Sequence, residues 1–310
     1  HESFVTNSVA ATALASLCDA RRLAGFLPKI VRTDWIYAHY EGANAPAQIR
    51  AFLQDAYACW GVRYLLLVGT FDLLPVQKLY MPYSSTYTTF IPADGLYYGC
   101  MTGSYDGNGN GRYGELTDGE NGGDIDLIAE IMVGRFPVAT VAELASMVKK
   151  TVYYETASAQ ELGAIAFLAE IYNSGGLVYS YGFMEDLRYG TSKYGLTTAG
   201  FKNAPGAERY RADTTLYDNT NFTFRATNVL ALFNGNYTAI NHMGHAAQQQ
   251  VAKLSLAPLS SDFRTLQGTT NALPFFIYSQ GCLCGAFDTT NCAAEQLVTV
   301  TNGAVAAVMN

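Results

Sequence analysis

The sequence predicts an α/β protein in which a mostly parallel sheet, covered on both faces by helices, is built as two related halves. Three observations carry this reading. Apolar runs of strand length such as RYLLLVG (63–69) and PFFIYSQ (274–280) are continuous rather than alternating, as in strands covered on both sides. Segments of helical period stand between such runs, so that helix and strand alternate. The alternation lapses at polar residues 155–160 and then begins again. The expected subdomains are therefore a supporting half, 1–158, and a second half, 159–310.

The first helix is expected from Ser8, a candidate N-cap, to the stop at Gly25, with Leu14 and Leu17 inward and Arg21 and Arg22 near its end. FLPKIVRT (26–33) reads as a strand, AQIRAFLQDAYACWG (47–61) as a helix and RYLLLVG as a buried strand. From Pro82 to Asp126 glycines, tyrosines and acids displace any regular period, until EIMVGRFPV (130–138) resumes as a strand and a helix follows from about Val141 to Tyr154. AIAFLAEIY (164–172) opens the second set. Helices near 181–194 and 225–233 follow, with strands at YTAINHMG (237–244), PFFIYSQ and GAVAAVM (303–309).

Composition excludes several functions. The 310 residues are 49% apolar and 15% charged, which fits a folded chain. A net charge of -7 with no basic run argues against a nucleic-acid partner. No apolar run approaches the roughly 20 residues that a membrane helix needs. The start at His1, without Met or signal peptide, reads as a processed or trimmed product. Six cysteines in a chain of this length do not make a disulfide scaffold, and only Cys282, Cys284 and Cys292 cluster.

The chemistry concentrates late in the chain. His242 and His245 close one apolar strand, and Cys282 and Cys284 follow another in SQGCLCGAFD (279–288). In parallel sheets, sites gather at the carboxyl edge of the strands, and adjacent strands would bring His245 and Cys282 within reach. A cysteine attacks carbonyls as thiolate and needs a histidine nearby. Backbone N–H groups from Gly244 to Ala246, and of Cys282, are candidates for an oxyanion hole, worth about 3 kcal/mol per donor. Other readings stand beside this one. A cysteine after a strand is often a small buried hydrophobe. Zinc on His242, His245, Cys282 and Cys284 requires two histidines that, three apart on a strand, point to opposite faces. A Cys282–Cys284 disulfide closes too short a loop.

The sequence resembles the gingipain-type cysteine peptidases, members of the caspase-like group that includes legumain and clostripain. The resemblance rests on NHMGHA (241–246), GCLCGAFD (281–288) and CAAE (292–295), with YLLLVG, DGLYYG (94–99), IMVGRFPV and TVYYE upstream, and it runs in order over nearly the whole chain. It implies a caspase-like three-layer α/β/α sandwich and a thiol endopeptidase with Cys282 as nucleophile, His245 as general acid and base, and Glu170 in contact with that histidine. Cys284 falls at a variable position. The family usually carries Gly after the histidine, where this chain has Ala246. Acidic Glu185 and Asp186 lie where the arginine-selecting members place a carboxylate, which implies a basic P1 residue bound by charge-assisted hydrogen bonds. A solvated helix face is the plainer reading of these two.

The resemblance also implies a secreted or cell-surface bacterial protein and proteolytic processing. His1 and Asn310 are then candidate cut points, and a second, processed polypeptide after Asn310 would complete the S1 pocket. Cleavage at Asn310 by the enzyme itself would favour a legumain-like Asn preference. The rival from another class is a catalytically silent peptide-binding relative. A flavodoxin-like nucleotide binder lacks a phosphate loop.

The segment DGNGNGRYGELTDGENGGDID (106–126) contains a formal GxGxxG at Gly109, Gly111 and Gly114. It joins no strand to a helix, and the carboxylates after it would repel a phosphate. Asp106, Asn108, Asn110 and Gly111 instead match the opening of a calcium loop. Thr117 stands where the bidentate acid belongs, so Glu115, Asp118 or Asp124 must substitute. No cofactor is expected for catalysis, and structural calcium is weighed against a solvated Asn-Gly loop.

Overall fold

The computed structural model describes residues 2–82, 88–158, 161–173, 178–206, 211–219, 222–270, 273–289 and 291–310. The chain forms two compact units, His1–Ala145 and Ser146–Asn310.

In the first unit, α1 (Glu2–Thr6) and α2 (Ser8–Leu23) precede α3 (Thr33–His39) and α4 (Ala45–Trp60). The cap of α2 is Asn7, one residue before the expected Ser8, because its side chain accepts the Val9 and Ala10 N–H groups. Helix α4 starts at the Asn44 cap with Pro46 in its first turn and stops at Gly61, left-handed at φ 65. It buries Ile49, Phe52, Leu53 and Ala56 along one stripe. β1 (Tyr64–Val68), the antiparallel hairpin β2 (Lys78–Pro82) and β3 (Thr88–Pro92), α5 (Asp94–Tyr97) and β4 (Met132–Phe136) follow. β1 pairs with β4 in parallel, Leu65 opposite Val133.

Two expectations fail here. FLPKIVRT forms no strand; residues 26–32 are irregular and Leu27 is 94% exposed, since Pro28 lacks an N–H for a ladder. The β2–β3 hairpin runs into the stretch expected to lack regular structure, with a proline at the end of each strand.

Buried arginines fix the loops of this unit. Arg50 on α4 donates to the carbonyls of Tyr97, Cys100 and Thr102, and its guanidinium lies 5.3 and 5.2 Å from the ring centres of Tyr97 and Tyr105. Arg135 on β4 forks onto the Asp94 carboxylate and also donates to the Gly69 carbonyl.

The division between units falls within α6 (Val141–Thr156) rather than at the expected 158. Bonds from the second half of α6 explain this. Lys150 Nζ donates to the carbonyls of Val298, Val300 and Ala304 at 2.5, 2.7 and 2.9 Å, and the Tyr154 hydroxyl to that of Thr238.

The second unit is organised by a parallel sheet of β5 (Ala164–Ala169), β10 (Arg211–Tyr217), β11 (Ala239–Met243), β15 (Phe275–Ser279) and β16 (Ala304–Val308), in the order β10-β5-β11-β15-β16. Every residue of β5 is buried. β10, with its polar RADTTLY, is an edge strand that the apolar pattern does not reveal. Helices α7 (Tyr181–Tyr189), α8 (Gly200–Asn203), α9 (Ala226–Phe233), α10 (Ser261–Gln267) and α11 (Ala293–Thr299) stand between or beside these strands. α7 ends five residues before the expected 194, because Gly190 turns the chain into the hairpin β8 (Thr191–Lys193) and β9 (Leu196–Thr198). Short pairs β6 (Ile171–Asn173) with β7 (Val178–Tyr179), and β12 (Ala246–Ala247), β13 (Gln250–Val251) and β14 (Leu254–Ser255), decorate the carboxyl edge of the main sheet.

Candidate active site

β11 and β15 are neighbours in parallel, with His242 opposite Ser279. Their exits therefore lie side by side, one leading to Gly244-His245 and the other to Gly281-Cys282. A Cβ built on Gly281 would lie 2.3 Å from the Ala246 Cβ, so only glycine lets the two loops approach this closely. The first turn of α11 holds both loops, because its Ala293 N–H donates to the Gln248 carbonyl and its Ala294 N–H to the Cys284 carbonyl. His245 is exposed, and its ring stacks with Tyr172 of β6 at 5.8 Å and 18°.

The cysteines of GCLCG separate by environment. Cys282 is exposed, whereas Cys284 is fully buried with its Sγ 3.4 Å from the Gly281 carbonyl oxygen that accepts from it. Burial pushes the Cys284 thiol up, which keeps it protonated and inert. Between them Leu283 takes a left-handed φ of 57, so that the chain turns sharply just after Cys282. Cys292, the N-cap of α11, is also buried, and burial followed by the nearby Glu295 carboxylate pushes its thiol up to about 12. All six cysteines are free thiols.

Beneath the exposed pair lies a buried polar chain. His242 Nε2 is 2.9 Å from Glu170 Oε1, and Nδ1 is 2.8 Å from Ser279 Oγ. Ser279 Oγ also accepts the Gly281 N–H at 3.1 Å. The histidine bonded to Glu170 is thus His242, not the expected His245. Glu170 reaches the His245 loop differently, by lying under Gly244, where a Cβ would come within 2.5–2.7 Å of its Cγ, Cδ and Oε1. His242 and Ser279 are buried on the inward parity of their strands, two residues beyond Ile240 and Ile277. With His242 committed inward and His245 outside, the zinc arrangement does not form, and the described residues include no group of three His, Cys, Asp or Glu placed to hold a metal.

Residues 3–310 match peptidase family C25. The chain belongs to peptidase family C25. No curated protein matches it. Solved structures of similar fold include the Arg-specific cysteine proteinase gingipain R (RGPB), with a TM-score of 0.59 and 21% identity over 86% of this chain and 52% of that one. The complex of RgpB pro- and mature domains from Porphyromonas gingivalis has a TM-score of 0.61 and 19% identity, covering 94% of this chain and 59% of that one. A third, described only as a protease, has a TM-score of 0.55 and 18% identity, covering 85% and 49%. This C25 chain spans about half the length of the solved chains it matches. The likeness shows the fold, the caspase-like α/β class expected from the sequence.

In this C25 chain the two proposed P1 selectors are already paired. Glu185 Oε1 accepts from Arg188 at 2.5 Å and from the Tyr217 hydroxyl at 2.7 Å, while Asp186 pairs with Lys193 at 2.5 Å. Burial and then the Glu185 carboxylate push the Tyr217 phenol up. A basic side chain entering here would have to compete with Arg188 or Lys193.

The acidic loop largely satisfies itself. The Asp106 carboxylate accepts the Gly111 N–H, while the Asn108 and Asn110 side chains accept the N–H groups of Asn110 and Arg112. Glu115 takes the Asn110 amide and pairs with Arg112, and Asp124 accepts the Ser104 hydroxyl. The exception is Asp118, fully buried, whose Oδ2 accepts the Glu115 N–H but whose Oδ1 has no partner.

Proposed function

We propose that the protein is a cysteine endopeptidase in which Cys282 attacks and His245 transfers the proton. The observation that carries this is the close approach of Gly281 to Ala246, which sets an exposed cysteine and an exposed histidine on abutting loops at the carboxyl edge of adjacent strands. His245 accepts the Cys282 proton, and the thiolate adds to the scissile carbonyl. Backbone N–H groups at Gly244, Ala246 and Cys282 are the donors proposed for the oxyanion. Collapse of the tetrahedral intermediate breaks the C–N bond, with His245 returning the proton to the leaving amine. Water, deprotonated by His245, then hydrolyses the thioester and restores the thiol.

A basic P1 residue is the preferred substrate in this reading, supported by family membership and by the Arg specificity of gingipain R. A second, processed polypeptide completing the pocket is part of this reading, supported by the complex of RgpB pro- and mature domains among the similar structures. Location outside the cell or at its surface is part of the same proposal; no described helix is long and apolar enough to cross a membrane. Fluorogenic peptides varied at P1 (Arg, Lys, Asn, Asp) test it on wild type and Cys282→Ala. Turnover with Arg or Lys, lost in Cys282→Ala, is expected. Full turnover by Cys282→Ala removes the nucleophile, and an Asn preference replaces the basic one.

The proposal includes a structural calcium ion in the 106–126 loop. Its support is the unpartnered Oδ1 of buried Asp118, with Asn and main-chain oxygens of the loop supplying the rest of an oxygen shell. Calcium should raise the melting temperature and chelator should lower it. Identical melting curves would remove the ion.

A further inference from the structure

We propose that His242 is a positioning residue for the cysteine–histidine pair, a buried strut that fixes the His245 loop through Glu170 and the Cys282 loop through Ser279. The inference rests on the peptidase reading for its meaning, but its geometry stands alone. His242 is fully buried in the middle of the sheet, between β5 and β15. One proton arrangement satisfies every atom of the chain. The Nε2–H of a neutral ring donates to the Glu170 carboxylate, the Ser279 hydroxyl donates to Nδ1, and the Gly281 N–H donates to the hydroxyl oxygen. One end of this chain supports Gly244, directly before His245, and the other holds the amide of Gly281, directly before Cys282.

Stability does not account for it. Neighbouring inward positions carry Ile240 and Ile277, and β5 reads AIAFLA. Apolar residues at 242 and 279 would avoid the desolvation of a carboxylate, an imidazole and a hydroxyl, and replacing such buried polar sets by apolar ones is often neutral or stabilising. What apolar residues would lose is direction, since hydrogen bonds of 2.8–3.1 Å hold the two loops in one register and catalytic pairs are sensitive to shifts of about 1 Å.

The test uses Ser279→Ala, Ser279→Thr and His242→Leu in the full chain. Iodoacetamide labelling of Cys282, followed by mass spectrometry of its peptide, gives a rate that needs no substrate. Protection of Cys284 and the melting temperature report folding. Loss of the strut should slow Cys282 labelling about fivefold or more and reduce kcat about tenfold or more, with KM within about twofold, in Ser279→Ala and His242→Leu. Ser279→Thr, which keeps the hydroxyl, should retain both. Ser279→Ala removes a single oxygen and so decides the matter even where His242→Leu does not fold. If folded Ser279→Ala labels Cys282 at the wild-type rate, the proposal is overturned. A wild type that labels as expected but cleaves no peptide would instead sink the peptidase reading.

Discussion

At the scale of single residues, the site turns on where a methyl group fits. The Ala246 methyl lies against Gly281. Gly281→Ala should therefore drive the Cys282 loop away from His245 and cut kcat/KM by about a hundredfold. The pair Gly281→Ala with Ala246→Gly should recover much of that loss, because the second change vacates the colliding position. Steady-state kinetics on the two variants check this. Cys284→Ala should cost less than about tenfold, since a thiol is a weak donor. The small residue before Cys282 and the Gly-His pair are local signals in the sequence, and the structure sets them on neighbouring strand exits. The partner of Glu170 was not legible there. Its assignment to His242 depends on the register of β5, β11 and β15, and a sequence does not state register across segments more than 70 residues apart. Ser279 carried a signal that strand parity could have found, two residues beyond inward Ile277.

At the scale of elements, each unit holds a buried cation in a shell of its own carbonyls. Arg50→Met should destabilise the first unit by at least about 3 kcal/mol, because three carbonyls lose a donor at about 1–3 kcal/mol each. Arg50→Lys should rescue it only in part, as an ammonium cannot fork. Denaturant unfolding measures both. Lys150 gives a pH signature. Burial pushes its ammonium down to about 7 from an ordinary 10.5, so the unfolded chain holds that proton more tightly than the folded one. The resulting penalty is fully present below pH 7 and is relieved as pH rises toward 10.5. Stability should gain from this group over that window, and Lys150→Met should flatten the slope of unfolding free energy against pH. Elements with a continuous apolar run, such as β1, β5 and β15, could be read from sequence. Edge strand β10 and the β2–β3 hairpin could not, since polar residues at an edge and prolines at strand ends resemble loop.

At the scale of the molecule, the alternation of apolar strands and amphipathic helices was enough to give the α/β class. The two compact units divide within α6, before the polar stretch 155–160, and Lys150 of that helix is claimed by main-chain groups 148–154 residues later. The order β10-β5-β11-β15-β16 has a kinetic consequence as well. Every pairing in it is parallel and non-local, so loop-closure entropy must be met before any contact rewards it. The bonds that join Glu170, His242 and Ser279 close spans of 72 and 37 residues. A chain still being synthesised therefore carries Cys282 and His245 as unrelated groups, and the proposed pair meets only once β5, β11 and β15 have closed on one another.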